Sequence, residues 1–454
     1  NTTVGYGALT SNTTGARHSA FGFQALNANT TGNYNTAVGS GALQSNTTAD
    51  SNTAVGYVAL YTNTTGTQNV AVGDQALEAN TTGDTNTGVG YKALEANTTG
   101  DKNVAVGYAA LDANTTADGN TALGYAALSA NTTGAHLTAV GRGALAANTT
   151  ADSNTAVGSY SLNDVTTGAK NTGVGAYTLE KVSTADNNTA LGYNAGADIT
   201  TGTANIAIGA YALDTATTAN NNTAVGYYGL GANTTGDKNT CLGSGAMSAN
   251  TTGVHNVGVG YAALDANTTA SYNTAVGSDA LTANTTGTKN TGIGYEALEA
   301  ATTGSYNTAV GSNCLKSTTT GTSNSALGQS ALNANTTGSQ NVAVGVNALV
   351  SNTTANDNTA VGRQALGANT TGDKNVGIGA SALAANTTAQ HNTAIGWQAM
   401  VTNTTGYNCV AVGKGALAAS NAEGNTAVGY QALTANTTGN NNTAVGRDAL
   451  DANT

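Results

Sequence analysis

The chain has 454 residues, with 60 glycines, no proline, 19 tyrosines against 2 phenylalanines, 8% charged residues and a formal net charge of −11. Ordinary chains carry about 25% charged residues, so a salt-bridged helical surface is excluded, and the few scattered basic residues give no electrostatic footprint for nucleic acid. No stretch approaches the roughly 20 apolar residues of a membrane helix and no basic, apolar leader opens the chain, so no membrane insertion is expected in this segment.

From the first residues onward the sequence repeats itself. The glycines that close each N-T-A-V-G unit stand at Gly5, Gly22, Gly39, Gly56 and Gly73, and the step of 17 residues holds to Gly413. One step of 16 leads to Gly429, after which the period returns at Gly446. A fixed period is the mark of a stacked repeat architecture and takes precedence over local propensity. The unit, N-T-A-V-G-x-x-A-L-x-A-N-T-T-G-x-x, is too short for the two helices of a helical repeat, which needs about 33 residues. Thr, Val and Ile favour strands, whereas Gly and Asn favour turns. The expected fold is all-β: a parallel β-solenoid (β-roll) whose coils each hold two or three short strands. Residues 1–454 form one continuous array of 27 coils, a rod of about 130 Å at the usual strand spacing. Two stretches are irregular, coils 160–220 and the short coil 413–429.

Comparing equivalent positions predicts what each one touches. The residue before the glycine is Val, Ile or Leu, with Phe21 once, and is expected to face the core together with the leucine of the second apolar pair. That assigns Val38, Leu43, Val55 and Leu60 to the core. Gly39, Gly56 and Gly73 are turn glycines. The residue between the strand's two larger ones is always small (Ala37, Gly88, Cys241). It is expected to lie on the opposite face, close to another backbone. The two residues after the glycine vary without order and are expected in solvent.

The N-T-T triplet fits a glycosylation sequon, but its asparagine position is filled by Val165, Val182, Ile199, Ala216, Ala301 and Thr318 in other coils. Exposed glycan sites have no reason to exchange with valine. An inward ladder of Asn12, Asn29, Asn46, Asn63, Asn80 and Asn97 is therefore favoured over a plain turn residue or a glycan site, each amide bonding to its copy in the next coil. If the second threonine also points inward, only the first faces out, a single rank per coil where an ice-binding face would be better served by two.

No other residues assemble a chemical site. Cys241, Cys314 and Cys409 lie more than four coils apart, too far for a disulfide, and read as buried or chance thiols. His136, His255 and His391 share one variable turn position and His18 replaces an asparagine, with no second ligand in an adjacent coil. Asp50, Asp84, Asp118 and Asp152 occur in some coils only, without the G-G-x-G-x-D spacing of a calcium roll. No catalytic, cofactor or metal residues are expected, and no enzyme activity.

Units such as Asn52-Thr53-Ala54-Val55-Gly56-Tyr57 resemble the head repeats of YadA-like trimeric autotransporter adhesins, and resemble more closely the N-T-A-V-G-Y-x-A-L repeats of bacterial surface and phage tail-fibre proteins. The resemblance implies a left-handed roll, often trimeric, displayed outside the cell. The expected function is an extracellular structural fibre or filament subunit that associates with itself, end to end or as a homotrimer. The alternatives are an adhesin or phage tail-fibre shaft that binds a host-surface receptor or glycan, and an ice-binding protein. Neither terminus departs from the repeat, and uncapped solenoid ends expose strand edges, so end-to-end association is expected, with lateral contact through the small-residue column.

Overall fold

Each N-T-A-V-G unit forms one three-residue strand that ends before its glycine, and within each unit of the fold successive strands pair in parallel and in register. Thr36 pairs with Thr53, Ala37 with Ala54 and Val38 with Val55. The computed structural model describes residues 1–453 and contains 27 such strands and no helix among them. Contacts divide the chain into two compact units, Asn1–Asn222 and Thr223–Thr454. The first holds β1 (Thr2–Val4) through β13 (Ile206–Ile208), the second β14 (Thr223–Val225) through β27 (Thr443–Val445). Each unit is a parallel β-solenoid in which a coil advances 17 residues.

The coil has one strand, where two or three were expected. The reason lies in the backbone after the glycine. Gly56 has φ 142°, and a methyl group there would collide with the carbonyl oxygen of Gly73 in the next coil. The glycine is thus required twice, by conformation and by the approach of the neighbouring backbone. Beyond it Val58 and Leu60 are left-handed, at φ 48° and 50°, which ends the extended run. Coil-to-coil hydrogen bonds continue all the same: Leu43 N–H donates to Ala59 O at 3.0 Å and Val58 N–H to Ser40 O at 2.9 Å. A left-handed leucine costs about 1–2 kcal/mol, while full burial of its side chain contributes about 1.5–3 kcal/mol, so burial outweighs the strain.

The core corrects the expected facing of the strand. Leu43 and Leu60 are fully buried. Val38 and Val55 are not core residues: Val38 is 38% exposed and Val55 half-buried, whereas Ala37 and Ala54 are 0% exposed. The small column points inward because the coil is thin. At Gly88 in β6 (Thr87–Val89) an added methyl would lie 3.4 Å from Leu77 Cδ1 and 3.0 Å from the Ala93 carbonyl oxygen. Nothing much longer than alanine fits. The column is therefore out of reach of a neighbouring chain, and lateral contact through it is ruled out.

Departures from the consensus are compensated within this thin interior. Cys241 is admitted because Gly229 stands where the preceding coil would have alanine; a Cβ there would be 2.8 Å from its Sγ. Gly173 likewise makes room for the hydroxyls of Ser161 and Thr178, which bond to each other at 2.7 Å. In the irregular stretch Gly196 replaces a leucine, and Ile199, in an asparagine position, fills the vacated space; a Cβ on Gly196 would be 3.1 Å from Ile199 Cδ1. The 16-residue coil absorbs its deletion in the turn. Ser420 takes the asparagine's buried place, and its Oγ accepts the Ala422 N–H at 3.2 Å.

Candidate functional site

Two hydrogen-bonded ladders occupy the interior of the coils. In the first, the N-T-T asparagines stack: Nδ2 of Asn29 donates to Asn12 Oδ1 at 2.9 Å, Asn46 to Asn29 at 2.9 Å, Asn63 to Asn46 at 3.0 Å, Asn80 to Asn63 at 2.9 Å and Asn97 to Asn80 at 2.8 Å. Each of these amides also donates to the carbonyl three residues on, as Asn97 does to Gly100 O at 3.0 Å. Asn12 is half-buried and the other five are fully buried, which leaves no room for a glycan on those five in the folded chain.

The second ladder is the asparagine that opens N-T-A-V-G. Asn52 N–H donates to Asn35 Oδ1 at 2.9 Å, and Asn52 Nδ2 donates to Gly66 O at 2.9 Å. Sequence reasoning missed it, although its near-constancy in every coil was as visible as that of the N-T-T asparagine. Of the three exceptions Leu137 keeps only the backbone bond, its N–H donating to Asn120 Oδ1 at 2.9 Å, whereas His18 and Cys409 keep side-chain bonds as well. His18 Nδ1 accepts the Asn35 N–H at 3.2 Å, and burial pushes its pKa below the ordinary value. At Cys409 the backbone N–H donates to Asn392 Oδ1 at 3.0 Å, and the thiol donates to Ala422 O at 3.2 Å where an asparagine would place its amide.

The two ladders substitute for one another. Beside Val165, Val182, Ile199 and Ala216, all buried, the second ladder acquires extra rungs: Asn188 Nδ2 to Asn171 Oδ1 at 3.3 Å, Asn205 to Asn188 at 3.1 Å and Asn222 to Asn205 at 3.2 Å. The same happens near Ala301 and Thr318, where Asn324 reaches Asn307 and Asn341 reaches Asn324, both at 3.1 Å.

At the turn the facing is again the reverse of the expectation. The first threonine of N-T-T is half-buried, with its hydroxyl donating to a backbone carbonyl one coil on (Thr30 Oγ1 to Thr47 O, 3.1 Å), and the second, such as Thr31, is exposed. The glycine or alanine that follows is buried, and that sets the alternation one residue off. The turn acids accept backbone amides from the preceding coil: Asn33 N–H to Asp50 Oδ1 at 2.6 Å, Thr67 to Asp84 at 2.6 Å, Asp101 to Asp118 at 2.7 Å and Ala135 to Asp152 at 2.7 Å. Asn220 and Ser271 supply the oxygen in other coils, at 2.8 and 3.1 Å, so an acid is needed in only some of them.

Outward side chains form two further arrays. The residues after the glycine carry stacked rings, with Tyr91, Tyr108 and Tyr125 at centroid separations of 5.2 and 5.1 Å. The strands project two ranks: Thr, Ser, Val or Ile at the first position and Val, Leu, Ile or Phe at the third. Leu242 and Leu327 in the third position are 50% and 51% exposed.

Cys241, Cys314 and Cys409 are buried free thiols, the first two pushed up to about 12 by burial. His136, His255 and His391 are exposed in the turns, and His255 stacks on Tyr272 at 5.0 Å. Among the described residues no group of three or more His, Cys, Asp or Glu side chains is placed to hold a metal ion, and no helix is long and apolar enough to cross a membrane. Comparison with protein-family models and with curated sequences returns no match.

Proposed function

We propose that this chain is a structural subunit of an extracellular fibre or filament, built to present long uniform surfaces and to associate with copies of itself. The observation that carries the reading is the use made of the coil interior. Side-chain and backbone hydrogen bonds run from coil to coil with little interruption, and polar residues that elsewhere would serve chemistry act here as rungs and amide acceptors. A scaffold of this kind gains length by repetition, since each added coil contributes its own interface. Display as an adhesin or phage tail-fibre shaft is the alternative that the sequence resemblance supports. Electron microscopy of the native material separates them: continuous filaments support the fibre, whereas cell-bound trimers or virion appendages replace it.

A second reading is favoured by one specific observation. The strands project two outward ranks, the first mostly threonine and the second apolar, where the sequence alone pointed to one. Regular methyls and hydroxyls on a flat sheet can order water, so an ice-binding role is tested by thermal hysteresis of the purified chain. Its absence removes this reading.

A further inference from the structure

We propose that the outward strand face is the surface through which two copies of this chain associate, sheet packed against sheet. The proposal rests on the self-association put forward above and names the surface that performs it.

The first support is the chemistry of the face. No strand from β1 to β27 carries a charged residue, and the third position is always Val, Leu, Ile or Phe. The position after the core leucine, by contrast, carries Glu78, Glu95, Asp112, Glu180, Glu299 and Lys316. Charge is tolerated on one side of the coil and kept off the other. Over one unit the two ranks expose on the order of 1,000 Å², comparable with the roughly 800 Å² that one partner contributes to a standard interface.

The second support is exposure. Phe21, Leu123, Leu191, Leu242 and Leu327 in the third rank are 38% to 51% exposed, apolar surface that a second layer packed at about 10 Å would remove from water.

The third support identifies the occupant. The ranks recur once per coil, about 4.8 Å apart, so side chains can interdigitate along the whole face only with a partner of the same axial repeat. A second copy of this chain has that repeat by construction.

The test uses the full chain. In the face variant Val140, Val157, Val174, Val276 and Val310 are each changed to Lys; in the control Ser129, Ala146 and Asn163 are changed to Lys, at the position Lys316 already occupies in its own coil. Mass is measured by sedimentation velocity across a concentration series, with far-UV circular dichroism and melting as checks on the fold. The wild type and the control should assemble. The face variant should remain folded and associate more weakly by about 100-fold or more, because lysines buried without partners oppose association. If the face variant assembles like the wild type, the assigned face is wrong while self-association stands; if the wild type is a monomer throughout, both fall. A second arm covers misfolding of the lysine variant: the Val157→Cys thiol, with the native thiols buried, should react with a maleimide in the dilute chain and be protected in the assembly. Assembly in which the Val157→Cys thiol stays as reactive as in the dilute chain overturns the proposal, as does ice shaping by a monomeric chain.

Discussion

Asn284 Oδ1 is buried without a hydrogen-bond donor, and the residue one coil further on, where an intact ladder supplies that donor, is Ala301. Asn148 stands in the same relation to Val165. The ladder is directional, so losing one amide orphans the oxygen before it. Ala301→Asn should therefore satisfy Asn284 and stabilise the second unit by about 1–2 kcal/mol, the usual value of pairing a buried polar group. Denaturant titration reads this directly, and a midpoint unchanged or lowered contradicts the directional ladder.

The opposite change is graded by what replaces the amide. Asn97 bonds to Asn80 Oδ1 and to Gly100 O and in turn accepts from Asn114. Asn97→Val should leave the chain folded but cost about 2 kcal/mol, since it strands the Asn80 oxygen. Asn97→Lys should open the coil, because a charge there has no partner and no route to water. Equal melting temperatures for Asn97→Lys and wild type would refute the buried placement.

His18 gives the first unit a pH dependence. Its ring is buried and its pKa is lowered, chiefly by desolvation, from the ordinary 6.5. Above pH 6.5 the ring is neutral in both folded and unfolded chains. As pH falls below that value the unfolded chain takes up the proton first, and stability is lost until the folded pKa is passed. His18→Asn, which restores the ladder residue, should abolish this component. Hydrogen exchange of the first coils, compared between wild type and variant from pH 7 to 5, would show it; identical profiles would mean that the ring is hydrated.

The three thiols should be silent in the folded chain. Cys241 and Cys314 combine full burial with pKa values pushed up to about 12, and the Cys409 thiol is also raised by burial. Thiolate, the reactive form, is nearly absent at pH 8. A disulfide reagent should label no thiol in buffer and all three in denaturant. Rapid labelling of Cys241 in buffer would place the small column outside.

That last question marks the limit of what the repeat reveals before folding. The period, the parallel stacking and the inward N-T-T asparagines follow from position-by-position comparison, because Val165 and Val182 could replace an amide only in the interior. The facing of the strand did not follow. Alternation tells that Ala37 and Val38 lie on opposite faces, but which face is inward depends on the thickness of the coil. That thickness is set by the left-handed leucines and by the glycine approach at Gly56, neither of which leaves a mark in propensity. Hydrophobicity pointed to Val38, and steric room decided for Ala37. The second asparagine ladder escaped notice for a related reason: its partners are backbone groups 14 and 17 residues away, which no local motif displays.

Paired substitutions in one strand test this geometry. Ala54 and Val55 are adjacent in β4 (Thr53–Val55), the first fully buried and the second half-buried on the outer face. Ala54→Leu forces three extra carbons into a space that at the equivalent Gly88 leaves 3.4 Å to a leucine. Overpacking of that kind costs about 1–3 kcal/mol or more. Val55→Thr is nearly isosteric and keeps β propensity on a surface already rich in threonine, so it should change folding stability by no more than about 0.5 kcal/mol. In the conventional assignment, with valine inside, the order is reversed: burying the Val55→Thr hydroxyl would be the costly change and an outward leucine the harmless one. Chemical denaturation of the two variants at a concentration where association is absent distinguishes the cases, and a larger loss for Val55→Thr than for Ala54→Leu would invert the coil.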